Sequence, residues 1–528
     1  MPQTLIDVDL AQSPYDNPNI HNRWHPDIPM AVWVKPGDDF VLETYDWTGG
    51  AIKNDDSADD VRDVDLSTVH FLSGPVGVEG AEPGDLLVVD LLDIGAKDDS
   101  LWGFNGFFSK KNGGGFLTEH FPLAQKSIWD FQGIYTSSRH IPGVKFAGLI
   151  HPGLIGCLPD QALLDTWNKR EIDFIATEPD RVPPLANAPF APTAHMGKMT
   201  GAARDKAAAE GARTVPPREH GGNCDIKDLS RGSKVFFPVY VDGAGLSVGD
   251  LHFSQGDGEI TFCGAIEMAG WVHMKVSLIK GGMAKYGIKN PVFQPSPLVP
   301  NYKDYLIFEG ISVDEQGTQH YLDVGVAYRQ ACLNAIEYLK KFGYSGAQAY
   351  SILGSAPVQG HISGVVDIPN ACATLWLPTE IFEFDIKPNA SGPIQHIKGD
   401  IQMPLSQDKE GSAAMPLYEY RCAACGDFAA MRSMARYQEP AACPACGAAS
   451  PRVLISAPAL ASMSGVLRKS IEVNERSAHA PRSSSGGHGM SCSCCKTGSK
   501  AGALPSRTVK GADGSKRFPS ARPWMISH

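Results

Sequence analysis

Two segments constrain this chain most: Glu219-His220-Gly221-Gly222-Asn223-Cys224-Asp225 and Gly249-Asp250-Leu251-His252-Phe253-Ser254-Gln255-Gly256-Asp257-Gly258-Glu259. Their glycines permit positive φ and close approach of the backbone to a ligand. In extended backbone, residues two apart share a face. Asn223 and Asp225 therefore pair on one face, and Asp250, His252 and Ser254 on another. The turn Gly256-Asp257-Gly258 swings Glu259 back toward that face. Imidazole and carboxylates are ligands for Zn²⁺, Ca²⁺ or a related divalent cation. Asp and Gly also build hairpins with no chemistry at all. Two such segments so close together favour a site, because His and carboxylates that are mostly exposed elsewhere cluster for function.

The chain is long enough for roughly three to four domains, and its composition is that of a globular protein, 43% hydrophobic and 20% charged. A formal net charge of −11 argues against a dominant nucleic-acid or anionic-membrane surface. No apolar run is long enough to span a membrane. The acidic start, Met1-Pro2-Gln3-Thr4-Leu5-Ile6-Asp7-Val8-Asp9, lacks the basic region of a secretory signal, so the expected location is cytoplasmic.

The first 160 residues read as short strands bounded by Pro-Gly and Gly-Asp turns, for example Phe40-Val41-Leu42-Glu43-Thr44 and Leu86-Leu87-Val88-Val89-Asp90-Leu91-Leu92. Residues 109–115 read as a surface loop. His151 falls where the strand of Gly148-Leu149-Ile150 would end. Residues 160–216 look like an excursion, with a Pro-rich stretch and an Ala-rich helix near 202–212. Residues 234–253 and 260–280 return to strands. The strongest helix signal covers 323–342, where Val326, Leu333, Ile336 and Leu339 recur at helical spacing and Gly343 stops the run. The expected class is α+β, mostly β.

The cysteines are uneven. Five are scattered before residue 400, and seven cluster after 420. Cys422-Ala423-Ala424-Cys425 and Cys443-Pro444-Ala445-Cys446 have the spacing of a zinc ribbon whose four thiolates close a structural Zn²⁺ shell. From Arg452 to the end there are twelve Lys/Arg against three Asp/Glu, a net of +9, in a Ser/Gly-rich tail. Within it, His488-Gly489-Met490-Ser491-Cys492-Ser493-Cys494-Cys495 could hold a second metal. No aromatic interleaving marks nucleic-acid binding. The domain reading is 1–403 large unit, 404–414 linker, 415–455 ribbon and 456–528 tail.

The large unit resembles the acetamidase/formamidase family. The residues that carry the resemblance are Trp24-His25-Pro26-Asp27-Ile28-Pro29, Gly80-Ala81-Glu82-Pro83-Gly84-Asp85-Leu86, His151-Pro152-Gly153, Pro216-Pro217-Arg218-Glu219-His220-Gly221-Gly222-Asn223 and the run from Gly249 to Glu259. The resemblance implies hydrolysis of short aliphatic amides such as formamide and acetamide, a mostly β fold, a homo-oligomer and a bound divalent metal. The ribbon segment resembles small regulatory zinc-ribbon proteins associated with formamidase, which makes the chain a fusion with a regulatory or assembly module.

Amide hydrolysis needs an activated nucleophile, an oxyanion stabiliser and a proton donor for the amine. A cation held by His and carboxylates activates water and polarises the carbonyl. His151, Asp225, Asp250 and His252 are the candidate ligands. Glu259 is the candidate base, with Asn223, Asp257 and His220 completing the catalytic set and Asn223 facing the oxyanion. A rival covalent route would use Cys224 with Lys145. A second function class is a metal- or nucleic-acid-binding regulator whose hydrolase-like unit is inactive.

Overall fold

The computed structural model describes residues 2–297, 302–396, 399, 417–431, 440–444, 446–451, 453, 509–510 and 516–517. The linker at 404–414, the Cys/His tract at 488–495 and nearly all of the tail lie outside the described residues. The chain divides into two compact units, Met1–Gly411 and Ser412–His528.

The large unit is built on two sheets. The six-stranded sheet runs in the order Gln3–Ile6, Asp39–Thr44, Gly270–Ile279, Leu86–Ala96, Lys234–Pro238 and Val292–Gln294. A twelve-stranded sheet carries Trp102–Phe107, Cys263–Met268, Leu246–Gln255, His151–Gly156 and Gly221–Asn223 as successive neighbours. The largest buried apolar cluster draws on both sheets, through Phe40, Leu87 and Leu91 on one and Val248, Leu251 and Ile266 on the other. It also takes in residues of the helices Val324–Lys340 and Gly346–Ser355. The fold is mostly β with few helices.

The helix at Val324–Lys340 forms where the periodicity places it. The Asp323 side chain accepts from the Val326 N–H at 3.0 Å as its N-cap, and Gly343 takes φ +95 past its end. Its packed face is smaller than the one read from sequence: Ala327, Ala331, Cys332, Ala335, Ile336 and Leu339 are buried, while Val326 and Leu333 are half-buried. Small residues let the helix lie on the strand Tyr305–Ile311, where a Cβ on Gly310 would stand 2.0 Å from the Ala327 carbonyl.

The excursion contains two helices, Gln161–Ile175 and the Ala-rich Gly201–Glu210. Among the described residues no helix is long and apolar enough to cross a membrane.

Two buried histidines set an acid limit on this unit. His21 lies 2.8 Å from both the Arg23 carbonyl and Ser247 Oγ. His220 donates through Nδ1 to the Cys157 carbonyl at 2.5 Å. Burial lowers His21 to about 4 and His220 to about 3. Both are therefore neutral in the fold, and the unfolded chain takes up their protons below its own value near 6.5. The stability they represent is complete above pH 6.5 and is lost as pH falls toward 4 and 3, by about 1.4 kcal/mol per pH unit for each proton. The thermal unfolding midpoint is expected to drop steadily from pH 7 to pH 5. A flat midpoint over that range would disprove the assignment.

In the second unit, Leu417–Cys422 pairs with Gly426–Met431 and Ala441–Ala442 with Ala449–Ser450. The four sulfurs of Cys422, Cys425, Cys443 and Cys446 converge within 4.8 Å of one another. Backbone N–H groups of Ala424 and Cys425 hold the Cys422 thiol down to about 6, which favours the thiolate a metal requires.

Candidate active site

The strand Leu246–Gln255 carries the centre of the site. Its register sets His252 opposite His151 on one neighbour and opposite Glu267 on the other. Nδ1 of His252 lies 2.9 Å from Gln255 Oε1, and Gln255 Nε2 donates to the Asp225 carbonyl at 2.8 Å. That second bond fixes the Gln255 amide, so its oxygen accepts from His252 Nδ1–H. The Nε2 atom is aimed at carboxylates, 3.3 Å from Asp250 Oδ1 and 3.1 Å from Glu267 Oε2. Neither contact has hydrogen-bonding geometry, and His252 Nε2, Glu267 Oε2 and Asp225 Oδ1 are buried without a hydrogen-bond partner among the described residues.

Two overlapping sets of potential ligand atoms share His252: Asp225 with Glu259, and Asp250 with Glu267, each set within 4.8 Å. Close approach is possible because of glycine. A Cβ on Gly153 would meet His252 Cε1 at 2.4 Å and Asp225 Oδ1 at 2.9 Å, and one on Gly264 would meet Glu259 Cγ at 2.3 Å. The carboxylates themselves sit on unusual backbone, with φ of 49° at Asp225, 53° at Asp250 and 45° at Glu259. Non-glycine residues rarely take such values, and each costs on the order of 1 kcal/mol that the surrounding structure must outweigh.

The turn bearing Glu259 is held from behind. Gly256 N–H donates to the Gly354 carbonyl at 2.6 Å, and the Tyr350 hydroxyl donates to the Ile260 carbonyl. Gly354 and Tyr350 belong to the buried helix Gly346–Ser355.

The electrostatics are those of a crowded cation site. Burial pushes Asp225 up to about 7 and Glu267 to about 8, with Asp250 adding to both shifts. Burial and the neighbouring Asp225 raise Glu259 well above the ordinary range. At Asp250 burial is outweighed by His252, which holds it near 2. Burial would lower His252, but Glu267 and Asp250 raise it well above its usual value. Four acids around one imidazole are costly to desolvate unless protons or a cation offset their charge. Asp250, His252 and Glu267 are buried, whereas Asp225 and Glu259 are half-buried.

The carboxylates line a cavity of about 660 Å³ together with His70, Arg213, Asn223 and Cys224. Its walls include Trp47, Leu66, Val69, Phe108 and Phe262. The 160–216 excursion contributes Val182, Pro183, Pro184 and Asn187, and the 109–115 loop contributes Lys111 to Gly113. That loop is tethered, since Asn112 Nδ2 donates to the Arg62 and Val64 carbonyls at 3.1 Å.

The structure thus brings together Asp225, Asp250, His252, Glu259 and Asn223, and it sets three expected site residues elsewhere. His151 stands behind His252: its Nδ1 donates to the Leu149 carbonyl at 2.6 Å, its Nε2 lies 3.0 Å from Gln255 Oε1 and 3.2 Å from His252 Nδ1, and it does not line the cavity. His220 is packed against Trp24 and Trp167, at 4.4 and 4.6 Å between ring centroids, and does not line the cavity. Asp257 is a tether: it takes an ion pair from Lys227 at 2.5 Å and the Gly360 N–H at 2.9 Å. Asn223 faces the cavity, but its Nδ2 donates to the Val215 carbonyl at 2.9 Å and its Oδ1 is left buried without a partner. One of its two Nδ2 hydrogens is thereby used, and its Oδ1 stands toward the site as an acceptor.

Cys224 lines the cavity, with burial and then Asp225 pushing its thiol up to about 12. Lys145 is exposed over the Tyr135 ring and is not part of the lining. Glu267 and His70 escaped the sequence reading. An acid between Ile266 and Met268 inside a strand was the one available signal for Glu267.

Comparison with known proteins gives the family. Residues 7–384 match the acetamidase/formamidase family and residues 415–454 a zinc ribbon domain. The chain is 73% identical over 392 residues to a formamidase of Methylophilus methylotrophus, covering 74% of this chain and 96% of that one. It is 85% identical to the solved structure of a gamma lactamase from Delftia acidovorans, with a TM-score of 0.76, covering 77% of this chain and all of that one. Its C-terminal part is 42% identical over 121 residues to a M. methylotrophus protein named FmdB and described as regulatory, covering 22% of this chain and all of that protein. The fold is that of a hydrolase acting on short amides. The chain belongs to the acetamidase/formamidase family, with a zinc ribbon domain carried on the same polypeptide.

Proposed function

We propose that this enzyme hydrolyses short aliphatic amides, formamide foremost and acetamide more weakly, with water activated at a divalent cation. The observation that carries the mechanism is the orphaned Nε2 of His252 among four carboxylates on the cavity wall. Asp250, His252 and Glu267, the deeper set, would hold the cation. An imidazole among the ligands suits Zn²⁺ better than Ca²⁺, which prefers oxygen alone. When bound, such a cation lowers the pKa of water and polarises a carbonyl.

The chain's own residues supply the rest. Glu259, ionised once the charge of the neighbouring acids is offset, takes a proton as water adds to the carbonyl carbon. The C–N bond then breaks, and Glu259 returns that proton to the nitrogen, so amide and water become carboxylate and ammonium. Asn223 Oδ1 accepts from the amide N–H and orients it. Gln255 holds the His252 ring with Nε2 inward, and His151 packs behind it at 5.0 Å between centroids.

The cavity is far larger than formamide and falls in the range of pockets for drug-sized ligands. That volume, its aromatic walls and the gamma lactamase relative support a second activity, ring opening of a five-membered cyclic amide. The test is ammonia release from formamide and acetamide, and amino-acid formation from a γ-lactam, before and after chelation and Zn²⁺ replacement. Turnover is expected to vanish on chelation and return with metal. No turnover of any amide by the metal-loaded protein would refute the proposal, and turnover indifferent to chelation would refute the cation.

The ribbon is proposed to act in regulation or assembly, as its likeness to a protein described as regulatory suggests. A homo-oligomer is supported by the exposed Ile362, Val366 and Ile368 around the Gln359–Gly364 and Cys372–Pro378 strands, an apolar surface that a second copy would cover.

A further inference from the structure

We infer that His70 is the oxyanion donor of this hydrolase and that Thr214 sets its tautomer, an assignment that rests on the amide-hydrolysis reading above. His70 lines the same cavity as Asn223, Asp225, Asp250 and Glu259. The residue is buried, with its ring against Trp47 at 5.6 Å between centroids.

Thr214, fully buried, touches it twice. Its Oγ1 accepts the His70 backbone N–H at 2.5 Å and lies 3.1 Å from His70 Nδ1. The backbone bond occupies the hydroxyl oxygen as an acceptor. Among the described residues, Nδ1 is the sole acceptor that the hydroxyl hydrogen meets. Thr214 O–H therefore donates to Nδ1, which can carry no proton of its own in the neutral ring. The proton sits on Nε2, where it has no partner among the described residues and is available to the cavity.

Asn223 complements it, because its free oxygen suits an amide N–H while the Nε2–H suits the amide oxygen. As water adds to the carbonyl carbon, the π pair moves onto that oxygen, and the Nε2–H stabilises the resulting charge. The pair returns when the C–N bond breaks, so His70 neither gains nor loses a proton over the cycle. A preorganised neutral donor of this kind contributes when charge develops, and its removal lowers kcat more than it raises KM.

The experiment measures kcat, KM and the pH profile of kcat/KM on formamide for the metal-loaded full chain and for His70→Ala, Thr214→Val and Thr214→Ser. His70→Ala is expected to lose about 10²-fold or more in kcat with a small change in KM and unchanged limbs of the pH profile. Thr214→Val, nearly isosteric, is expected to lose about tenfold in kcat, and Thr214→Ser, which keeps the hydroxyl, to recover it. Near-normal kcat in His70→Ala, or loss of one limb of its pH profile, would overturn the oxyanion role. Near-normal kcat in Thr214→Val, or failure of Thr214→Ser to recover, would overturn the positioning role. Wild-type protein inert toward every amide would instead bring down the hydrolase reading on which both depend.

Discussion

His252→Ala is expected to abolish amide turnover, with a loss of about 10⁴-fold or more, and to release the bound cation. Nε2 of His252 is common to both potential ligand sets, so no other single side chain is so central to holding the ion. The fold is expected to survive, because the acids left behind can neutralise themselves: Asp225 and Glu267 already stand near 7 and 8. Glu259→Gln separates binding from chemistry. It preserves shape and removes the base, so metal content should stay near that of the wild type while kcat falls by about 10³-fold. Elemental analysis and ammonia release measured on the same preparations decide the matter. Retention of activity within tenfold by either variant would disprove the role given to that residue.

The second large effect is expected at the ribbon. Among the described residues, its two short hairpins bury Tyr420, Cys422, Ala441, Cys443 and Ser450. So small a core cannot offset the entropy of ordering the chain, and the metal supplies the difference. Structural zinc in comparable peptides contributes roughly 10–16 kcal/mol at neutral pH. Paired substitution of Cys422 and Cys425 by serine is therefore expected to unfold residues 415–455 completely and to spare basal hydrolysis. The ligand chemistry differs between the two metal sites, thiolate in one and carboxylate with imidazole in the other. Hydrogen exchange over 415–455 would report the unfolding, and ammonia release would report the site. A parallel loss of hydrolysis in a protein whose assembly is unchanged would refute the independence of the modules.

Much of this was legible in the chain. Asp250 and His252 lie in one strand and the Gly256–Gly258 turn returns Glu259, as local rules of strand and turn suggest, although Asp250 breaks the regular alternation with φ of +53. What local rules cannot supply is pairing. Glu267 enters the site because its strand sits opposite His252, and nothing in residues 263–268 names that partner. His151 shows the complementary limit: register puts it beside His252, yet its Nδ1 is committed to the Leu149 carbonyl and its Nε2 faces Gln255 and His252 rather than the cavity. His220 lies outside the site because its ring packs between Trp24 and Trp167, while Gly221 and Gly222, at φ of +106 and +84, turn the chain between it and Asn223. The 160–216 segment read only as an excursion, but it walls the cavity through Val182 to Pro184 and Asn187, a long-range contact that no periodicity encodes.

The left-handed backbone at Asp225, Asp250 and Glu259 bears on how such an enzyme can be improved. Glycine or asparagine would sit more easily at each of these positions and would relieve the crowding of buried acids as well. A search for tougher variants guided by heat resistance alone would thus be rewarded first for dismantling the catalytic centre. The same arithmetic acts on lineages, so these carboxylates persist only where turnover is under continuous selection. Their replacement in a drifting copy would mark a protein released from its chemistry while still well folded.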